Sequence, residues 1–246
     1  MITPEPLWLD SCGSTNTELA AMPDAPHGFV VATREQTAGR GQCGNTWEAQ
    51  PGANLTFSLM LRPGGIPAAR QFEMSMLVSL GIADALDGLL AESGCAERIA
   101  IKWPNDIYIG DRKLCGILIE NSLAGSAIGR AIAGIGINVN QRRFLSDAPN
   151  PVSLVEFTGR ELPLEETLEK VVGAIVGEID RYGSDGDGEA LTGRYMARLW
   201  RRDGQWPFRE PGGAVFTASI EAVAPDGTLT LSNGRSYAFK EVAFVL

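Results

Sequence analysis

The sequence predicts an α+β protein: a body of strands and long helices over residues 1–203, then a small β-barrel over 204–246. Three observations carry that reading. Short runs that are β-branched or alternate in polarity fill the first half of the chain. Two long segments carry apolar residues at helical spacing. After Arg202-Asp203-Gly204 the pattern changes to brief strands separated by turn residues. A chain of 246 residues suits one large domain plus a small one.

Residues 7–12 read as a strand, and Thr15 with Glu18 fits a capping box opening a helix over about 16–22. Phe29 to Thr33 is a β-branched strand, followed by a polar, glycine-rich segment from Gln36 to Trp47. Asn54 to Arg62 alternates as a strand and stops at Pro63-Gly64-Gly65. Over 68–93, Phe72, Met76, Leu80, Ala83, Leu86 and Leu90 share one helical face, and Gly94 stands where a C-cap belongs. Strands are expected at Ile99–Trp103, at Ile107–Leu118 folded about Gly110-Asp111, and at Ala131–Val139. A helix over 164–182 begins after Pro163, with Leu164, Leu168, Val171, Ile175 and Ile179 on one side. Another covers about 187–200. The last strands are Val215–Val223, Thr228–Leu231, Ser236–Phe239 and Val242–Leu246, punctuated by Pro225-Asp226-Gly227 and Asn233-Gly234.

Thirty acidic against twenty-one basic side chains give a net charge of −9 and a pI near 4.8. No basic field exists to release counterions, so nucleic-acid binding and attachment to anionic membranes are not expected. No run of about 18 apolar residues is apparent, nor a signal peptide in MITPEPLWLD. Cys12, Cys43, Cys95 and Cys115 are widely spaced and form no CxxC pair, which favours reduced thiols in the cytoplasm over disulfides or a metal centre. The single histidine, His27, reads as an exposed loop residue.

Four segments have compositions that packing alone explains poorly. In Gln36–Trp47, Gly39, Gly41 and Gly44 bring backbone N–H groups close to a ligand, Arg40 offers a forked cation, and Trp47 a flat surface for a purine. The segment is neither a Walker loop nor a GxGxxG turn, and a plain surface turn has the same composition. In Lys102-Trp103-Pro104-Asn105-Asp106, the proline ends a strand and sets Asn105 and Asp106 in a turn, where such residues are common. Lys102, flanked by Ile101 and Trp103, must snorkel to solvent or find an anion. Arg112 and Lys113 begin an apolar strand on opposite faces, so one points inward unless the pair serves as an edge-strand guard. Gly116 lets a ligand or another backbone approach that strand. Gly134-Ile135-Gly136-Ile137-Asn138-Val139-Asn140 can floor a pocket, with Asn138 offering an amide, or can be a tightly packed core strand.

Taken in order, Ser14-Thr15-Asn16, TAGRG at 37–41, KWPND at 102–106, RKLCGIL at 112–118 and GIGINVN at 134–140 resemble the biotin protein ligase family, over almost the whole chain. The resemblance implies a mixed-sheet catalytic domain with flanking helices, of class II synthetase-like fold, and an SH3-like C-terminal barrel. It implies that biotin and ATP, with Mg²⁺, give biotinyl-5′-AMP, and that biotin passes to a lysine of a biotin carboxyl carrier domain. By the same resemblance Ser14, Thr15, Asn16, Gln36, Gly39, Arg40, Lys113, Gly116, Gly134 and Gly136 hold biotin. Arg40, Gln42, Trp47, Asn105, Ile137 and Asn138 surround the nucleotide. Lys113, Arg40 and Asp106 form the catalytic set, with Asp106 accepting the proton of the incoming lysine. No metal is assigned to protein ligands. Members of the family often pair into homodimers, and the sequence leaves monomer and homodimer both open.

Two departures stand out. Many relatives carry further arginines after the first in the loop, where this chain has Gln42, Cys43 and Asn45, so weaker electrostatic retention of the adenylate is expected. The first strand begins near residue 7, so an N-terminal helix-turn-helix and an operator-binding role are not expected. The competing readings are a lipoate or octanoate transferase, which shares the fold, and a biotin or nucleotide sensor without turnover.

Overall fold

The computed structural model describes residues 4–39, 41, 47–145 and 150–246. Seven strands form its main sheet: β1 (Leu7–Cys12), β2 (Val30–Gln36), β3 (Leu55–Leu61), β4 (Ile99–Lys102), β5 (Asp106–Ile109), β6 (Arg112–Ala124) and β7 (Ala127–Ile137). Their order is β1-β2-β3-β7-β6-β5-β4, with β1 parallel to β2 and every other pair antiparallel. The sheet is therefore mixed, as expected.

Strand alternation gives this sheet two unlike faces. Register places Leu55, Phe57, Leu59 and Leu61 of β3 beside Ile137, Ile135, Ala133 and Ala131 of β7, and Ile135 and Ile137 beside Ile117 and Cys115 of β6. These residues, with Ile107 and Ile109 of β5, are buried in the main apolar cluster. The helices α2 (Phe72–Glu92) and α4 (Leu164–Asp185) supply the other half of it, through Leu77, Leu80, Leu86, Leu168, Val171 and Ile175. A Cβ on Gly81 would lie 2.6 Å from Ile175 Cα, so glycine lets the two helix backbones approach. By length and apolarity alone α2 could cross a membrane, contrary to the reading above that no such run exists; most of that stretch is buried in the core.

The other face is carried by the intervening residues: Thr56 and Ser58 of β3, Gly136 and Gly134 of β7, Gly116 and Leu118 of β6, and Asp106 of β5. One end of it is covered by α1 (Thr15–Ala20), beneath which Leu19, Ala25, Val31, Met60 and Ile132 make a second, small apolar cluster.

Several predicted elements differ in detail. The capping box at Thr15 is not formed: Ser14 is the N-cap, without a side-chain cap bond, and Thr15 is already helical. Its hydroxyl is used in the polar contacts described below. The strand placed at Ala131 starts at Ala127 and pairs along its length with a β6 extended to Ala124, a long hairpin whose turn contains Gly125 at φ +64°. A short helix, α3 (Val155–Thr158), was not expected; the final helix, α5, runs Gly188–Ala197, with the Asp187 side chain accepting from Ala190 N.

The C-terminal residues form two three-stranded antiparallel sheets: β8 (Trp206–Arg209) between β9 (Val215–Ala218) and β13 (Ala243–Phe244), and β11 (Leu229–Leu231) between β10 (Ile220–Val223) and β12 (Arg235–Tyr237). The single strand expected at Val215–Val223 is thus two. The chain turns at Ser219, whose N–H donates to Ser232 Oγ, and its halves join different sheets. Phe216 stacks between Phe208 and Tyr237, joining the sheets face to face. The Trp103 indole N–H donates to Gly227 O at 3.0 Å and ties this unit to the body.

Candidate functional site

On the small-residue face the sheet floors a cavity of about 260 Å³. Glycines at 116, 134 and 136 leave the floor low. A Cβ at Gly136 would lie 2.3 Å from Trp47 Cε2, and one at Gly116 would lie 3.0 Å from Trp47 Cζ3. The indole therefore lies directly on these two strands, a position that any side chain at 136 would contest.

The α1 end of the cavity is polar. Gln36 Oε1 accepts from Thr15 N at 2.9 Å and from Thr15 Oγ1 at 3.3 Å. Ser58 Oγ lies 2.8 Å from Thr15 Oγ1 and 2.5 Å from Asn16 Oδ1, and Asn16 Nδ2 donates to Glu120 Oε2 at 2.7 Å. Buried Thr15, Asn16 and Ser58 are thus paired with one another, with half-buried Gln36 and with exposed Glu120 beside an apolar floor, the usual make-up of a specific small-molecule site.

Opposite, Lys113 Nζ meets Asp106 Oδ1 at 2.6 Å, and Lys102 Nζ lies 3.9 Å from Asp106 Oδ2. The position of Lys113 comes from a β-bulge. Counting back from Gly116 in strict alternation, Leu114 would face the cavity and Lys113 the core. The ladder shifts here: Ile107 pairs with Cys115 but Tyr108 pairs with Lys113. Leu114 and Cys115 both enter the apolar cluster, and Lys113 lines the cavity. Arg112 turns outward to Glu156 at 2.7 Å. The choice that period 2 left open between these two cations is settled by one extra residue.

Lys102 lies over the rings of Tyr108 and Phe244, at 5.3 and 5.6 Å from their centroids. Burial pushes its ammonium below the usual lysine range; Asp106 opposes this, while Lys113 and Arg201 add to it. The anion that this lysine required by its place in an apolar strand is therefore Asp106.

Of the residues singled out from sequence, Ser14, Thr15, Asn16, Gln36, Trp47, Asn105, Asp106, Lys113, Gly116, Gly134 and Gly136 line this one cavity. Gly39 stands at its edge, where a Cβ would meet Trp47 O at 2.8 Å. Asn105 uses its amide to donate to Ile117 O at 2.5 Å. Ile137 and Asn138 do not join the cavity. The Ile137 side chain belongs to the apolar cluster, and buried Asn138 donates to Val152 O at 3.0 Å, holding the segment before α3. Arg40 and Gln42, like Cys43 and Asn45, lie outside the described residues.

Sequence reasoning passed over Ser58, Glu120 and Phe239. Ser58 had a signal: with Thr56 it makes one face of an otherwise apolar strand polar. Phe239, 43% exposed, comes from the C-terminal unit to line the cavity and packs edge-on against Trp103. His27 is half-buried rather than exposed; its Nδ1 accepts from Arg62 N at 2.9 Å, and its Nε2 is 3.5 Å from Asp180. Cys12, Cys95 and Cys115 are free thiols, and burial pushes Cys115 far up, which makes it inert.

The family model of the biotin/lipoate A/B protein ligases matches residues 9–138. A biotin–[acetyl-CoA-carboxylase] ligase of Paracoccus denitrificans is 38% identical over 233 residues, covering 89% of this chain and 90% of that protein. The bifunctional ligase/repressor BirA of Bacillus subtilis is 37% identical over 134 residues, 54% of this chain and 39% of its own length. Among solved structures, the biotin protein ligase from Aquifex aeolicus in complex with biotin and ATP shares the fold, with a TM-score of 0.78 over 98% of both chains at 23% identity.

Proposed function

The chain belongs to the biotin/lipoate A/B protein ligase family and is one of its biotin ligases, and from that premise we propose that it converts biotin and ATP to biotinyl-5′-AMP and passes the biotinyl group to one lysine of a biotin carboxyl carrier domain. The observation that carries this reading is the order of groups along one cavity. Polar Thr15, Asn16 and Gln36 stand at one end, and the Lys113–Asp106 pair at the other, with Trp47 on the glycine floor.

In this reading the carboxylate of biotin attacks the α-phosphate of ATP, the O–P bond forms, and pyrophosphate leaves. Two anions must meet, and Lys113, one-third exposed and facing the cavity, offsets their repulsion. Arg40 is proposed to do the same from the glycine-rich segment, and Gln42 to line the nucleotide with Trp47 and Asn105. Asp106 is the single carboxylate among the described lining residues, and no three metal-ligating side chains stand together among the described residues. Mg²⁺ is therefore assigned to the nucleotide substrate, which brings it with its phosphates and water.

In the second step the acceptor amine attacks the acyl carbon. The C–N bond forms, the bond to phosphate breaks, and AMP leaves. A lysine ammonium titrates near about 10.4 and must lose a proton to attack; Asp106, on the cavity wall, is the group assigned to take it. The division at residues 203 and 204 belongs to this reading, the C-terminal unit contributing Phe239 as a wall. The reduced thiols fit a cytoplasmic enzyme.

The test is intact mass spectrometry of a purified carrier domain incubated with the protein, ATP, Mg²⁺ and either biotin or lipoate. A gain of one biotin, absent with lipoate and abolished by Lys113→Ala, is the expected result. Modification by lipoate alone would transfer the chain to lipoate chemistry. Biotin binding without pyrophosphate release would make it a sensor.

A further inference from the structure

Gln36, Thr15, Ser58, Asn16 and Glu120 form one unbroken polar chain at the α1 end of the cavity. Gln36 is held as an acceptor by the Thr15 N–H, but three other members can reverse their roles: the two hydroxyls rotate, and the Asn16 amide can exchange its oxygen and nitrogen by turning over. Glu120 cannot. An ionised carboxylate only accepts, so Asn16 must present its NH₂ group, and Nδ2 stands 2.7 Å from Glu120 Oε2. That places Asn16 Oδ1 over Gly134, where a Cβ would be 2.3 Å away, and requires Ser58 to donate to it.

We propose that Glu120 is a positioning residue that sets the polarity of this chain, so that Asn16 Oδ1 and Thr15 Oγ1 face the ligand as acceptors. A ligand with two N–H groups on a small ring, a cyclic urea, is what such a wall selects. This rests on the biotin reading and adds to it a residue outside the cavity lining that fixes which way the recognition groups point. Without an obligate acceptor at position 120, the two orientations of the Asn16 amide become close in energy. One of them offers N–H to N–H.

The experiment is calorimetric titration of biotin into the full chain and its variants, with initial-rate kinetics alongside. Glu120→Gln can satisfy Asn16 in either orientation, so the protein should melt within a degree or two of the parent. Biotin affinity should fall by roughly tenfold, the worth of about one hydrogen bond. The KM for biotin should rise in step, while the KM for ATP and kcat move less than about twofold. Asn16→Asp sets two carboxylates against each other, and biotin affinity should fall further. The double variant Asn16→Asp with Glu120→Gln reverses donor and acceptor across that link yet keeps an oxygen toward Ser58, so it should recover most of the loss. A purely structural contact would show no such rescue. Unchanged biotin affinity in Glu120→Gln, or a double variant no better than Asn16→Asp, overturns the role of Glu120 and leaves the ligase reading standing. A parent protein that binds no biotin overturns both.

Discussion

The two faces of the seven-stranded sheet are made by the same strands and do opposite things. Toward α2 and α4, β3 and β7 present Leu55, Phe57, Leu59, Ile135 and Ile137, all nearly inaccessible to solvent. One residue along each strand, the other face presents Thr56, Ser58, Gly134 and Gly136. The first face fills space to the density of an interior, and its burial drives folding. The second leaves space, and what it gives up in apolar contact it returns as a cavity with converging polar groups. Period-2 alternation lets one strand serve stability and chemistry with little exchange between them.

That separation predicts that substitutions on the two faces fail in different ways. Lys113→Ala has the largest expected effect: a loss of about a thousandfold in adenylate formation, with the melting temperature nearly unchanged, since the side chain is partly exposed and its loss opens no core cavity. Denaturant unfolding that shows a large destabilisation would break the comparison. Leu59→Ala, on the helix face, should cost about 2–5 kcal/mol in stability and leave KM values alone in whatever fraction stays folded. The sharpest pair comes next, because the chemical change is identical. Gly136→Ala pushes a methyl into Trp47 and should lower kcat/KM by up to about a hundredfold with little change in melting temperature. Gly81→Ala pushes the same methyl toward the backbone of Ile175 and should cost about 1–3 kcal/mol with little change in activity.

The smallest effect concerns Glu178 in α4, 5% exposed, which Arg181 and Arg194 grip at 2.5 and 2.8 Å. Burial raises its carboxyl, but the two guanidiniums outweigh that and hold it below the usual range. A depressed folded value stabilises the protein above the unfolded value of about 4.3 and ceases to do so as pH falls through the folded one. Glu178→Gln should therefore be less stable than the parent by about 1 kcal/mol at pH 7, and the gap should close in acid. Urea midpoints at pH 7 and pH 3 check this.

Legibility in the sequence followed the range of the interactions. The long helices and the turns at Gly110, Gly227 and Gly234 were plain, because their signals lie within a few residues. The capping box at Thr15 failed for a long-range reason: its hydroxyl bonds to Gln36 and Ser58, 21 and 43 residues away. The split at Ser219 depends on Ser232, and the entry of Phe239 into the cavity depends on how two sheets pack. Within the site, residues named from sequence converge on one cavity from separate elements: Asp106, Lys113, Gly116, Gly134 and Gly136 from adjacent strands of one face, Ser14, Thr15 and Asn16 from the start of α1, and Trp47 and Asn105 from loops. Ile137 and Asn138 were taken along with their motif, whereas alternation turns one into the core and the fold uses the other to hold a loop.

The bulge at Leu114 gives β6 something like a reading frame. Upstream of Gly116, which side chain reaches the cavity depends on the number of residues spent before the ladder resumes, not on their identity. Exchanging Leu114 for another apolar residue leaves that frame intact, whereas a single residue inserted beside it would put the strand out of step and deliver a different side chain to the position that Lys113 now holds. The segment 112–116 should accordingly tolerate spelling changes far better than changes of length, a kind of constraint that no inventory of contacts records.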